Sequence, residues 1–271
     1  MIQAPDGLQL TVEAVVKEFT TGRGHPPVRA LDRIDLQICT GEFVSLLGPS
    51  GCGKSTLLNI IAGFQAPTAG RILHQGKPIT QADRRRTVVF QDYALFPWMT
   101  IQRNIEFGLK AQGIGAQSRA VIAREFIGRV HLSGFEDRYP HEVSGGMKQR
   151  AAIARALAPN PDMVLMDEPF GALDAQTRVL LQEEVVRLTA DTRKTVLFVT
   201  HSIEEAVFLA DRVVVMSARP GRIRSEIAVK LSRPRVPDMR YDPWFVRTVQ
   251  DLWQALKPEW QEGNGSHDNA N

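Results

Sequence analysis

Residues 48 to 56 read GPSGCGKST: a glycine, four residues, a second glycine, then lysine and serine. Glycines let successive backbone amides turn toward one centre, lysine adds a positive charge, and a serine hydroxyl can ligate a small hard cation. That combination fits a nucleotide polyphosphate. Gly48, Pro49, Ser50, Gly51, Cys52, Gly53, Lys54, Ser55 and Thr56 would line the phosphates of ATP, with Lys54 reaching the β- and γ-phosphates and Ser55 holding Mg2+. Chance yields this pattern in roughly one chain of this length in a hundred, so a plain flexible turn is the alternative reading. Context weighs against the turn: the short apolar run EFVSLLG precedes the loop, and GKSTLLNIIAG opens a helical stripe after it.

Further residues could act on a bound triphosphate. MVLMDEP (163–169) is an apolar strand ending in two acids, which places carboxylates where ligands bind in parallel sheets. Asp167 would bind Mg2+ and Glu168 would activate the attacking water as general base. Taken alone, the pair reads equally as a solvated turn. TVLFVTH ends in His201, which could bridge to the γ-phosphate or simply cap a helix. Gln91, after TVVF, could contact Mg2+ and water or be an ordinary loop glutamine. In VSGGMKQR, Ser144, Gly145 and Gly146 precede a helix and form a second anion site. Since the first site already has its own loop, the second would serve a nucleotide held mainly by another copy of the chain.

The elements that must position these groups alternate. LQLTVEAVVKEF (8–19), LDRIDLQI (31–38) and EFVSLLG (42–48) read as strands, and a helix after the loop ends at Gly63. Strand signals recur at 87–91, 162–169, 195–200 and 212–218, with helices over about 174–190 and 202–210. From about 101 to 158 the pattern is helical. The expected fold is therefore α/β, with a mostly parallel sheet, an antiparallel β portion and an inserted α-helical subdomain.

Composition is that of a globular protein: 271 residues, 43% hydrophobic and 23% charged. A formal charge of +3 is too weak to argue for nucleic acid, and the arginines at 84–86 and between 212 and 240 read as a solvated basic face. Cys39 and Cys52 form neither a disulfide framework nor a metal pattern, which favours a reducing compartment. MIQAPDGLQL does not read as a signal peptide, and no stretch is apolar enough to span a membrane. Work at a membrane would run from one side, through a partner. EWQEGNGSHDNAN carries no apolar repeat, so 261–271 is expected to be a disordered tail.

Together these motifs resemble the nucleotide-binding subunit of an ATP-binding cassette (ABC) transporter. GPSGCGKST matches the family's Walker A motif, MVLMDEP its Walker B with Glu168 as catalytic glutamate, Gln91 the Q-loop, His201 the switch histidine and GALD, with Asp174, the D-loop. The signature SGGQ stands here as SGGM, with Met147 in place of glutamine. The resemblance implies a RecA-like P-loop NTPase core over about 1–91 and 159–225, a helical subdomain over 92–158, and a C-terminal extension over 226–260, all within one domain of 1–260. It also implies that Phe19 stacks on adenine, and that Gln91, Glu168, His201 and Lys54 serve catalysis.

The family works as a head-to-tail homodimer that closes on two ATPs to drive transmembrane permeases. VFQDYALFPWMTIQRNIEFGL, DEPFGALDAQTR and ADRVVVMSARPGRI are similar to importers of the nitrate, sulfonate and taurine group, bacterial systems with a periplasmic solute-binding protein. The implied place is the cytoplasmic face of the inner membrane. Exposed aromatics at Phe96 and Trp98 would suit a permease contact or local packing. A soluble cassette ATPase or an exporter subunit is the alternative.

Overall fold

The computed structural model describes residues 7–20, 22, 26–192, 194–217 and 219–265. The described residues up to Ala82 and from Thr195 onward form one compact unit, and Asp83–Lys194 another.

The chain begins in the first unit with β1 (Leu8–Phe19), β2 (Val28–Cys39), β3 (Phe43–Leu47), α1 (Lys54–Ala62), β4 (Ala69–His74) and β5 (Lys77–Pro78). Strands β2-β1-β4-β5 make an antiparallel sheet. Leu31, Ile34, Leu36 and Ile38 are its buried apolar positions on β2. The spacing slips by one between Leu31 and Ile34, where Arg33 adopts φ 53; an extra residue absorbed there keeps both apolar sets on the covered face. β3 is buried at every position, as a strand with parallel neighbours on both sides should be.

The second unit contains β6 (Arg86–Val89), α2 (Ile101–Ala111), α3 (Ala116–Arg129), α4 (Gly145–Leu157), β7 (Met163–Asp167) and α5 (Ala175–Thr192). β6 and β7 run parallel, Val89 opposite Met166, and α2 packs on α3 and α4. This unit is larger than the 92–158 insert expected from the sequence, because β6, β7 and α5 group with the helices. Asn104 on α2 is fully buried. It accepts from the Phe96 amide at 2.8 Å and donates to the carbonyls of Phe96, Met99 and Thr100, so one amide side chain shapes the loop before α2. Phe96 is half-buried against Phe107, 4.6 Å between centroids, rather than exposed. Trp98 alone of the two is open, at 68%.

The chain then returns to the first unit with β8 (Thr195–Thr200), α6 (Ile203–Leu209), β9 (Arg212–Met216), β10 (Ile223–Ala228) and α7 (Pro243–Gly265). Here β9 and β8 flank β3 in parallel, and β10 pairs antiparallel with β9. α7 runs five residues into the segment expected to be a tail, and 266–271 lie outside the described residues. No described helix is long and apolar enough to cross a membrane.

Candidate active site

In the first unit the phosphate-binding pattern sits between β3 and α1. Gly48 has no room for a side chain: a Cβ there would lie 2.8 Å from both the Cys52 sulfur and the Met216 carbonyl. Gly51 and Gly53 take φ 76 and 98, in the left-handed region. α1 starts at Lys54 without a side-chain cap and without an acid in its first turn. The dipole of a helix that starts this way favours an anion at its N-terminus. Lys54 is 4% exposed, and its ammonium donates to the carbonyls of Gly48 and Pro49 at 2.8 and 2.9 Å. A glycine cradle, an uncapped helix start and a buried lysine on the same nine residues fit a polyphosphate.

His201 belongs to the same edge. β3 and β8 are paired in register, Leu47 opposite Thr200, so the phosphate loop and His201 leave neighbouring strands at the same level. The cap of α6 is Ser202, whose hydroxyl accepts from the Glu205 amide; His201 itself is exposed. Phe19 ends β1, 38% exposed, with the Lys17 ammonium 5.1 Å from its ring centroid. Cys39 and Cys52 form no disulfide.

The second unit gathers the remaining residues. β6 and β7 deliver Gln91 and Glu168 from adjacent strand ends. Glu168 has φ 43, a left-handed backbone that costs a non-glycine residue about 1–2 kcal/mol. A tight turn follows it, with the Gly171 amide on the Glu168 carbonyl at 3.1 Å. A Cβ at Gly171 would lie 3.6 Å from the Gln91 amide nitrogen and 3.5 Å from the Glu168 carbonyl, so Gln91 reaches this turn. Asp174 accepts from the Thr177 amide at 3.0 Å and caps α5. That backbone hydrogen bond draws its pKa below the ordinary aspartate value.

Ser144 caps α4, accepting from the Met147 amide at 3.3 Å. Gly145 and Gly146 are close-packed: a Cβ on the first would meet the Tyr93 hydroxyl at 3.1 Å, and on the second the Thr177 methyl at 2.6 Å. Within this unit, then, the two signature glycines lie against the turn after Gln91 and the start of α5 respectively.

Two features escaped sequence reading. In the first unit, Gly221 packs on the phosphate loop so closely that a Cβ would lie 2.1 Å from the Cys52 carbonyl, and the Arg219 guanidinium lies over Gly51. Its signal was the PG pair in SARPGRI, which marks a turn but not what the turn touches. In the second, Arg155 on α4 donates to Ala94 and Tyr93, and nothing in the helical stripe singles it out.

A family profile described as ABC transporter matches residues 31–171. A nitrate import ATP-binding protein of Synechocystis is 47% identical over 256 residues, 92% of this chain and 96% of its own. A taurine import ATP-binding protein of Burkholderia pseudomallei is 42% identical over 259 residues, covering 94% and 99%. Among solved structures, the dimeric post-hydrolysis state of the ATP-binding cassette MJ0796, bound to ADP and Pi, aligns with a TM-score of 0.72 at 33% identity, over 82% of this chain and all of that one.

Proposed function

The chain belongs to the ABC transporter family, and on that premise we propose that it is the ATP-hydrolysing subunit of an importer for a small anion such as nitrate, a sulfonate or taurine. The observation that carries the reading is full-length similarity: the nitrate and taurine relatives align over 96% and 99% of their own length, C-terminal segment included. Solute choice would lie in the permease and its periplasmic binding protein. The subunit would sit peripherally at the cytoplasmic face of the membrane, through that permease.

The loop Gly48–Thr56 would hold ATP, with Phe19 stacking on the adenine ring, and Mg2+ would supply neutralisation of phosphate charge. Lys54 places positive charge at the β- and γ-phosphates. Ser55, Asp167 and Gln91 would hold the metal, directly or through water, since Mg2+ takes oxygen ligands. Glu168 accepts a proton from the attacking water, and His201 fixes the γ-phosphate side of that water. Ser144, Gly145 and Gly146 serve the nucleotide of a second copy in a head-to-tail dimer, with Asp174 near the same boundary. The left-handed backbone of Glu168 supports this assignment, because strain of that kind is retained where a side chain must be aimed.

The test is ATP turnover by the purified chain, alone and with its reconstituted permease, beside Glu168→Gln. Slow turnover alone, acceleration by the permease and a loss of at least about a hundredfold in the mutant, with ATP still bound, is the expected result. Permease-independent turnover that survives Glu168→Gln removes both the catalytic assignment and the membrane role.

A further inference from the structure

Arg155 lies on α4, ten residues beyond Gly145. Its Nη1 donates to the Ala94 carbonyl at 2.7 Å and its Nη2 to the Tyr93 carbonyl at 3.2 Å, while the guanidinium carbon is 5.5 Å from the Phe96 ring centroid. Among the described residues no carboxylate pairs with it, and burial draws its pKa below the usual arginine value. A cation withdrawn from water without a counter-charge is costly unless hydrogen bonds replace its hydration. Here two carbonyls of one turn do so.

That turn is itself unusual. Tyr93 and Ala94 both adopt left-handed backbone, φ 57 and 48, which residues with side chains rarely do in succession. The turn begins two residues after Gln91, whose amide reaches the Gly171 turn beyond Glu168. The Tyr93 hydroxyl lies against Gly145. Helix α4 thus holds the turn from both ends, by Arg155 near its C-terminus and by Gly145 at its start.

We propose that Arg155 is a positioning residue for Gln91. By binding both left-handed carbonyls it fixes the exit of the chain from β6, and so the place at which the Gln91 amide meets the turn after Glu168. The same contact carries a displacement of the signature helix to Gln91, and a displacement of Gln91 back to that helix. This inference rests on the reading of Gln91 as a Mg2+ and water contact. An arginine that merely stapled the fold would change activity whatever residue stood at 91; a positioning residue acts only through it.

A double-mutant cycle on the full chain separates the two. ATP turnover with Mg2+ is measured for wild type, Arg155→Gln, Gln91→Ala and the double mutant, with thermal unfolding alongside. Arg155→Gln is expected to lower kcat about tenfold with KM for ATP within about twofold, the pattern of a lost transition-state contact. The double mutant should be no slower than Gln91→Ala. Arg155→Lys, which keeps charge and a donor but not the two-pronged fork, should recover part of the loss, and the same cycle run with it serves if Arg155→Gln does not fold. Multiplying losses in the double mutant, or a change in unfolding temperature alone, overturns the proposal while leaving Gln91 its role. Unchanged turnover in Gln91→Ala overturns the reading of Gln91 and the proposal with it.

Discussion

The Glu184 carboxylate on α5 lies 3.4 Å from Nε of Arg150 on α4, yet neither of its oxygens has a hydrogen-bond partner. The ion pair links the signature helix to the helix that follows Asp174. His131 lies 3.9 Å away, and Glu183 and Arg187 line the same cavity of about 280 Å3.

Burial raises the Glu184 pKa above 4.5, against the pull of Arg150, His131 and Arg187. The native state therefore keeps a proton that the unfolded chain releases, and this group's contribution to stability falls as pH rises from 4.5 toward the raised value. Glu184→Gln removes that dependence. Thermal unfolding at neutral pH and near pH 5 should show wild type gaining on the mutant as the solution is acidified. A gap that stays constant, or moves the other way, contradicts the assignment.

Gly53→Ala should damage both the fold and nucleotide binding. At φ 98 the added Cβ would lie 2.6 Å from Leu31 Cδ2 and 2.9 Å from the Ala30 carbonyl. Backbone strain plus the clash should cost about 2 kcal/mol. Since Gly53 precedes α1, the shift falls on the amides that the proposed nucleotide site would use. Unfolding temperature and ATP affinity should fall together; a drop in stability with unchanged affinity would place the strain elsewhere.

Thr200 brackets His201. Its hydroxyl donates to Glu205 Oε2 at 2.7 Å and accepts from the Ser202 amide at 3.0 Å. Thr200→Val deletes both bonds and takes a donor from a carboxylate that is 7% exposed; the loss should be about 2 kcal/mol. With the turn released, kcat should fall more than in Thr200→Ser, which keeps the hydroxyl. Equal kcat in the two variants would show that His201 is held by other contacts.

Legibility followed physical periodicity. β3 and β8 were readable because strands buried on both faces are continuous apolar runs, and Gly63 ended α1 where the stripe stopped, its amide on Ile60 at 3.0 Å. β10 was not readable: of its six residues none is buried, so IRSEIA carries no alternation. The candidate site residues were singled out by type and spacing: a glycine loop between a buried strand and a helix is distinctive, whereas a strand ending in acids reads equally as a solvated turn until it is paired with that loop. What could not be read was contact across sequence distance. Arg155 and Tyr93 are 62 residues apart, and an arginine on a helix looks solvated until its carbonyl partners are known. Asp174 showed a related limit, because GALD marked the loop but not the capping bond to Thr177.

Met147 stands where the family signature has glutamine, and the local geometry predicts that the exchange matters little to hydrolysis. The bond that residue 147 makes to the signature is through its backbone amide, which donates to the Ser144 hydroxyl; any residue but proline supplies that donor. The side chain is half-buried in the first turn of α4, where a flexible thioether and a flexible amide of similar length substitute with little strain. Met147→Gln should therefore leave unfolding within about 0.5 kcal/mol and ATP turnover within about twofold. Ser144→Ala, by contrast, removes the cap and should cost about 1 kcal/mol together with any turnover that depends on a second copy. If Met147→Gln instead raises turnover severalfold while Ser144→Ala is silent, the side chain at 147 and not the cap is the working part of the signature.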